Sequence, residues 1–285
     1  MSVEADARAL RRRRRWGKFG RYALLTVLAA IVIFPIYITI VNSLLPPVDI
    51  TRQPPKLFPT DPQWHSYADA WNAGHMGTYL KNSFIVTFVI TLGQVLTAIL
   101  AGYAFAFLDF PFKRTLFVVF LATLMVPFEV TIVTNVATVS DLGWYNTYAG
   151  LAVPFLATGF GAFLMRQAFL TLPHDLRDAA ALDGYGHWRF LWRVAVPLAR
   201  PAVAALTVFA FLAAWNQYLW PLLITNTEAM RTVVIGLEGL IPRSGTELPT
   251  WNLIMAGAMM ALLPPVAVIL FMQRWFVKGL VESEK

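Results

Sequence analysis

The chain has 285 residues, of which 58% are hydrophobic and 14% are charged, and its formal net charge is +7. Soluble domains are only about 45–50% apolar, so this composition excludes a water-soluble globular protein. The absence of cysteine excludes a disulfide framework, a thiol nucleophile and a cysteine-ligated metal site.

Six apolar intervals of 24 to 27 residues predict six transmembrane helices, since only the third contains a charged residue. About 20 apolar residues suffice to cross a bilayer as a helix. Helices are expected rather than strands, because lipid offers the backbone no hydrogen-bonding partners and the apolar runs do not alternate as they do in membrane barrels. The sequence therefore predicts an all-α integral membrane protein with spans over residues 22–48, 82–108, 115–140, 142–165, 201–227 and 248–273.

The distribution of lysine and arginine predicts the orientation of these spans. With the N-terminus inside, 18 of the 23 basic residues fall on inner segments, as the positive-inside rule expects. The chain is thus predicted to be a multi-pass protein of the plasma membrane. Both of its termini and the loop 166–200 are predicted to face the cytoplasm. The expected organisation is a cytoplasmic basic segment, 1–21, followed by a single six-helix permease domain, 22–285, that contains this loop.

A run of five arginines, 11–15, stands just before the first span. Basic runs can bind nucleic-acid phosphates, but this position favours anchoring to anionic lipid headgroups. We therefore expect the lipid bilayer, and no nucleic acid, as the partner of this run. The first span is too long for the apolar core of a signal peptide and is expected to be retained.

Two outer loops, 49–81 and 228–247, are long enough to carry a function. The first is rich in proline and tryptophan, which suits a partly ordered loop near the headgroups. It is interpreted either as a docking surface or as a cap on the helices.

Glu129 is the one ionisable residue well inside a predicted span, and it follows Pro127. Intramembrane carboxylates are costly, so Glu129 is a candidate residue of the substrate path. It could accept hydrogen bonds from hydroxyl groups or bind a choline-like cation. The alternative is a structural carboxylate that pairs with Arg166 or with a second permease.

The loop 166–200 contains a predicted short helix that starts near Asp175 and ends at Gly184, with Pro197 and Pro201 at the start of the fifth span. Alanine favours helix, glycine suits a helix C-terminus, and proline suits a first turn. Spacings of three and four predict one shared face for Leu176, Ala179, Ala180 and Asp183. Such a helix suits a groove on a soluble partner. The histidines that flank it, His174 and His187, are expected to be solvated.

The fifth span carries a polar and aromatic cluster that suits a small polar solute. Amides hydrogen-bond hydroxyl groups, and aromatic faces stack on sugar rings or hold cations. An interhelical hydrogen-bonding role for the two amides is the alternative. The candidates for the substrate path here are Trp215, Asn216, Gln217 and Tyr218.

The stretch 178–184, Asp-Ala-Ala-Ala-Leu-Asp-Gly, followed by Pro197 and Pro201, resembles the cytoplasmic coupling motif of ABC-importer permeases. That motif reads Glu-Ala-Ala, Asp-Gly, Leu-Pro and a final proline. The chain departs from it in Asp178, which replaces glutamate, and in Tyr185, which follows the glycine in place of alanine or serine. The resemblance implies that the ATPase-coupling residues are Asp178, Ala179, Ala180, Asp183, Gly184 and Pro197.

Other segments resemble the maltose-type carbohydrate-importer permeases, and among them the permeases of sn-glycerol-3-phosphate importers. They are Asn82-Ser83, Arg166-Gln167, the run 215–224, Pro264-Pro265 and the C-terminal run from residue 272. The resemblance implies a type I ABC-importer permease fold. It also implies four kinds of partner contact: a homologous permease subunit, two ATPase subunits, an extracytoplasmic solute-binding protein and the bilayer.

The chain contains no G-x-x-x-x-G-K-[ST] phosphate loop, since Phe19 follows its one Gly-Lys pair. It is therefore expected to be a transport subunit and not an enzyme, with no cofactor of its own and with ATP and Mg²⁺ bound by the partner ATPases. No lysine or arginine lies within a span, so a substrate phosphate would be recognised by the binding protein or by helix N-termini.

The predicted function is ATP-driven import of sn-glycerol-3-phosphate or a glycerophosphodiester by alternating access. Import of another carbohydrate, such as a disaccharide, is the alternative within the same class. The alternative from another class is a proton-coupled secondary carrier that uses Glu129 as its titrating group.

Overall fold

The computed structural model describes residues 2–72, 74–173, 175–241 and 250–282, and within these ranges it contains helices and no strand. His174, the segment 242–249 of the second outer loop and the last three residues lie outside them. The α-helices are α1 (Ser2–Leu44), α2 (Pro47–Ile50), α3 (His65–Asn72), α4 (Met76–Phe107), α5 (Lys113–Ala122), α6 (Phe128–Asp141), α7 (Tyr148–Ala152), α8 (Gly159–Leu170), α9 (Asp175–Leu182), α10 (His187–Phe190), α11 (Val196–Leu198), α12 (Arg200–Trp215), α13 (Leu219–Ile224), α14 (Val233–Gly239) and α15 (Trp251–Glu282).

Three helical segments are individually long and apolar enough to cross a membrane: Gly17–Leu44, Met76–Phe107 and Trp251–Gln273. Three further pairs of helices reach that length only together, and each pair is bent by more than 40° at a short break. If each bent pair is counted as one span, the described residues contain six spans, which is the predicted number. The helix α1 begins at Ser2 and runs through both the basic N-terminal segment and the first span.

The third predicted span is not continuous. Its halves, Lys113–Met125 and Phe128–Asp141, are bent by 97°. Pro127, which precedes α6, lacks an N–H and disfavours the helical conformation of the residue before it. Val126 accordingly adopts extended backbone angles, with φ −87° and ψ 112°.

The fourth span begins later than predicted, at Tyr148 rather than at residue 142. A turn precedes it, in which Gly143 and Asn146 have positive φ angles of 71° and 56°. Thr147 then caps the helix, because its hydroxyl oxygen accepts a 3.2 Å hydrogen bond from the Gly150 N–H. The two halves of this span are bent by 43°.

The fifth span is preceded by a sharp bend and is interrupted before its end. The segments His187–Leu198 and Arg200–Trp215 meet at 81°. Pro201 occupies the first turn of α12, as predicted. Pro197 was also predicted at the start of the fifth span, but it lies in α11, before the bend. The bend falls at the residues just before Pro201, because proline disrupts the helix that precedes it.

The chain divides into two compact units: Met1–Ala70 with Pro242–Met259, and Trp71–Ile241 with Met260–Lys285. In the first unit, the outer loop is tied to α1, since Tyr37 donates a 2.6 Å hydrogen bond to the carbonyl of Leu57. The hydroxyl groups of Ser43 and Tyr67 lie 2.8 Å apart in the same unit. The proline-rich outer loop is therefore partly ordered.

In the second unit, α4 is the helix on which α8, α12, α7 and α14 pack. Small residues allow a close approach to α8. A Cβ atom on Gly102 would lie 2.6 Å from the Cβ of Met165 and 2.8 Å from the backbone nitrogen of Arg166. One buried cluster fills the space around Tyr103 and Phe169, and another surrounds Trp220, whose indole N–H donates to the Gly150 carbonyl at 3.0 Å.

Gly102→Ala is expected to lower the thermal unfolding midpoint of the purified protein in detergent. The added methyl group overlaps backbone atoms of α8, and such overpacking costs about 1–3 kcal/mol. Gly20→Ala is the matched control, because nothing lies within 4 Å of a Cβ atom at that position. Equal midpoints for the two variants would contradict the close packing of α4 on α8.

Candidate functional site

The predicted helix in the loop 166–200 is present as α9, with Asp175 and Asp178 in its first turn. Acidic side chains stabilise the positive N-terminal end of a helix. Gly184 ends the helix with φ 74°, a conformation that favours glycine. Two hydrogen bonds close a Schellman motif there, from the Tyr185 N–H to the Ala180 carbonyl at 2.8 Å and from the Gly184 N–H to the Ala181 carbonyl at 3.0 Å.

The faces of α9 differ from the predicted ones. Ala180 is 8% exposed and packs into the cluster around Tyr103, so it does not share a surface with Ala179. The outward side carries four exposed residues, Asp178, Ala179, Leu182 and Asp183. Leu182 is 91% exposed, although it is apolar. Adjacent helical positions point about 100° apart, and the inward side of α9 passes through Arg177 and Ala180.

An aromatic cluster lies directly beneath α9. Tyr103, Phe107, Phe169 and Phe190 are all buried, and the rings of Phe107 and Phe190 meet edge to face with centroids 5.5 Å apart. His187 is exposed, as predicted, but it also has a partner in the protein, because its Nδ1 lies 3.0 Å from the Tyr103 hydroxyl. Sequence reasoning missed this pair, since 84 residues separate its members.

Two arginines bind backbone carbonyls in the last turn of α4. Arg177 of α9 donates to the carbonyl of Phe107. Arg166 of α8 donates through Nε to the carbonyl of Phe105 at 3.3 Å, and its guanidinium lies 4.2 Å above the ring of Phe117. The last carbonyls of a helix have no partner within the helix and carry partial negative charge, so both arginines cap α4.

Glu129 does not lie within a continuous span. It occupies the first turn of α6, immediately after the 97° break, and its side chain is exposed. The suggested pairing with Arg166 is not formed, because Arg166 binds the Phe105 carbonyl and the Phe117 ring instead. The N-terminal end of α6 stabilises the carboxylate at this position.

The candidate residues of the fifth span lie at its interruption. Trp215 ends α12 and is 3% exposed, and its indole N–H donates to the Ala261 carbonyl at 3.1 Å. Asn216, Gln217 and Tyr218 follow outside helix, ahead of α13. Asn216 and Tyr218 are exposed, whereas Oε1 of Gln217 is buried without a hydrogen-bond partner. Trp215 therefore has a packing role, and the other three carry free polar groups.

Two cavities adjoin these breaks. One of about 430 Å³ lies between α4 and α12 and is mostly apolar, with a lining of Phe84, Phe88, Thr91, Leu92, Val95, Thr207 and Phe211. The ring of Phe84 in this lining packs edge to face on Trp215, 5.1 Å between centroids. The other, of about 400 Å³, runs beside α6 and includes Asn135 and Thr138 in its lining. Among the residues that the structure describes, no group of His, Asp and Glu could hold a metal ion.

The opposite end of α4 carries a second polar cluster, around Asn82. The Asn82 side-chain amide donates to the carbonyls of Ala229 and Arg231 at 2.8 and 2.9 Å, and its oxygen accepts from the Tyr148 hydroxyl. The Ser83 hydroxyl accepts a 2.8 Å hydrogen bond from the Val233 N–H. These bonds fix the segment 229–233 on α4. The sequence feature that could have indicated this cluster is the adjacent polar pair, Asn82-Ser83, at the start of an apolar span.

Residues 75–282 match the family described as binding-protein-dependent transport system inner membrane components. The chain is 40% identical over 271 residues to the sn-glycerol-3-phosphate transport system permease protein UgpE of Yersinia enterocolitica, covering 93% of this chain and 96% of the relative. It is 42% identical over 270 residues to the protein of the same name from Agrobacterium fabrum, covering 92% and 95%.

Two solved structures share the fold. One is a bacterial ABC transporter involved in the import of the acidic polysaccharide alginate, with a TM-score of 0.82, 21% identity and coverage of 93% of this chain and 98% of the other. The second is a bacterial alginate ABC transporter in complex with a periplasmic protein bound to an alginate pentasaccharide, with a TM-score of 0.60, 13% identity and coverage of 91% and 93%. The predicted all-α importer-permease fold is confirmed.

Asn82→Asp is expected to release the segment 229–233 and to speed tryptic cleavage after Arg231. The substitution removes both amide hydrogen bonds and sets a carboxylate against two carbonyl oxygens, and each buried polar group left unpaired costs about 1–3 kcal/mol. Asn226→Asp is the matched control, since Asn226 is exposed on the same side of the unit. Cleavage at the wild-type rate in Asn82→Asp would contradict the role given to Asn82.

Proposed function

The chain belongs to the family of binding-protein-dependent transport system inner membrane components and is a permease subunit of an ABC importer, and we propose that its solute is sn-glycerol-3-phosphate or a glycerophosphodiester. The observation that carries the proposal is the 40–42% identity to sn-glycerol-3-phosphate permeases over more than nine tenths of the chain. The likeness to the alginate transporters, at 21% identity or less, bears on the fold alone.

The proposed assembly contains this chain, a homologous permease, two ATPase subunits that bind ATP and Mg²⁺, and an extracytoplasmic solute-binding protein. The excess of basic residues on one set of loops supports cytoplasmic termini and a cytoplasmic loop 166–200 in the bacterial inner membrane. Large apolar side chains of α1, such as Phe19, Ile31 and Val32, are more than 60% exposed. Lipid and the second permease would cover such surfaces.

The proposed coupling surface is the outward side of α9. Asp178, Ala179 and Asp183 would sit with Leu182 in a groove on an ATPase subunit, which supplies a reason for an apolar side chain that is 91% exposed. Gly184 sets the end of this helix, and Ala180 holds its inward side in the core. Pro197 lies between α9 and the 81° bend, so displacement of α9 by ATP-driven closure would reach α12 through this segment.

The proposed solute path passes the helix breaks. Backbone groups at a break inside a membrane need partners that a cavity with a polar solute or water can supply. Asn216, Gln217 and Tyr218 stand at one break and Glu129 at another. The amide and phenol groups can exchange hydrogen bonds with the hydroxyl groups of a glycerol unit, and the carboxylate can accept them. Trp215 would shape the path by packing, through its contacts with Phe84 and Ala261.

Uptake into proteoliposomes that contain the complete assembly tests the proposed function. Labelled sn-glycerol-3-phosphate is expected to accumulate only with ATP inside and binding protein outside, and excess unlabelled glycerophosphodiester is expected to compete. Competition by a disaccharide alone would assign another carbohydrate. Uptake that needs no ATP and stops when an ionophore collapses the proton gradient would instead identify a secondary carrier.

Gly184→Val is expected to lower uptake strongly while the ATPase subunits remain bound. A non-glycine residue in the left-handed conformation costs roughly 1–2 kcal/mol, so the turn rearranges and displaces Asp183 and Leu182. Gly186→Val is the matched control. Both glycines have open space around a Cβ atom, but only Gly184 has a positive φ. Equal uptake by the two variants would count against coupling through this turn.

A further inference from the structure

We propose that Arg177 is a positioning residue that ties α9 to the last turn of α4, so that ATP-driven displacement of α9 moves α4 with it. The inference rests on the proposed coupling role of α9. The side chain of Arg177 would transmit this movement to α4, the helix on which the other helices of the second unit pack.

The contact joins complementary groups. Phe107 is the last residue of α4, and its carbonyl accepts a hydrogen bond from the Arg177 guanidinium. This carbonyl has no acceptor role within the helix and lies at the negative end of the helix dipole. A positively charged donor at this point gives a directional bond that resists both separation and sliding.

Apolar packing alone would hold α9 weakly. The one residue of α9 that is buried is Ala180, whose side chain is a single methyl group. Beneath α9 a cavity of about 130 Å³ remains, and Arg177 and Ala181 contribute to its lining with Tyr103 and His187. Because this space is not filled by side chains, packing on this side of α9 does not oppose a tilt of the helix. The Arg177 bond supplies the directional contact that would link such a tilt to α4.

A second bond supports the same connection from the other side of Gly184. His187 begins α10, and its ring nitrogen lies 3.0 Å from the hydroxyl of Tyr103, one turn before the end of α4. Arg177, before the Asp-Gly turn, and His187, after it, thus both bind residues in the last two turns of α4. The movement they transmit would reach α8 and α12, which pack along α4, and the cavity that α4 and α12 line.

The first measurement follows the distance between a spin label on α9 and one just after the end of α4 in the assembled transporter. The chain has no cysteine, so Leu176→Cys, exposed on α9 outside the proposed coupling surface, and Asp109→Cys, exposed two residues after α4, place labels without background. In the parent, the 176–109 distance is expected to stay constant between nucleotide-free and ATP-bound states. With Arg177→Gln added, it is expected to change on ATP binding. A parent distance that shifts by more than one helical turn, about 5.4 Å, would overturn the proposal.

The second measurement is the number of solute molecules imported per ATP hydrolysed. Arg177→Gln is expected to lower this ratio roughly tenfold with ATPase subunits still bound, and Arg177→Lys to lower it less, since lysine keeps the charge but not the planar fork. Arg189→Gln is the control, because Arg189 contacts the Tyr185 ring at 4.1 Å and belongs to α10. An unchanged ratio in Arg177→Gln, or loss of the ATPase subunits from it, would refute the tether.

These outcomes are separable from failure of the proposed function. The spin-label distance needs the ATPases but no solute, so it reports on the tether even if the solute is another carbohydrate. Failure of the parent assembly to import any tested solute with ATP would refute the proposed function, whatever the distance measurement gives.

Discussion

The structure of the second unit depends on how α4 is held along its whole length. Gly102 lets α8 approach until a Cβ atom would collide with its backbone, and Asn82 and Ser83 fix the segment 229–233 near the start of α4. At the other end, Arg166 and Arg177 donate hydrogen bonds to backbone carbonyls that have no partner within the helix. A helix held by packing at its middle and by directional bonds at both ends is braced against bending. Under the proposed coupling, a displacement near Phe107 would therefore be passed along α4 towards Asn82.

Breaks in three of the spans expose backbone groups of the kind that the proposed transport path would need. An unbroken apolar helix satisfies its own backbone and offers a polar solute nothing, whereas a break frees N–H and C=O groups that must find partners in protein, water or solute. The break at Pro127 presents Glu129 at a helix N-terminus, and the interruption after Trp215 presents three residues with amide and phenol groups. The polar residues and the breaks coincide because each would be costly in lipid without the other.

The sequence predicted the number of spans, the helix α9 and its glycine terminus, because these depend on local composition and backbone preference. It did not predict that Ala180 faces inward, since a stripe of residues at spacings of three and four does not say which side the core will cover. The roles of Arg177 and His187 were also out of reach, because their partners, the Phe107 carbonyl and Tyr103, lie 70 and 84 residues away. The bend at Pro127 could have been anticipated, as proline inside a span breaks the hydrogen-bond ladder.

The most direct test of the account is the reactivity of a single cysteine at position 182 in membranes with and without the ATPase subunits. Leu182 is 91% exposed at the end of α9, and the chain has no other cysteine. A maleimide is expected to label Leu182→Cys rapidly in ATPase-stripped membranes and slowly after the ATPase subunits are added back, whereas labelling of Ser140→Cys, exposed on α6, stays the same. Equal labelling of position 182 in both conditions would show that α9 is not the surface that the ATPase covers.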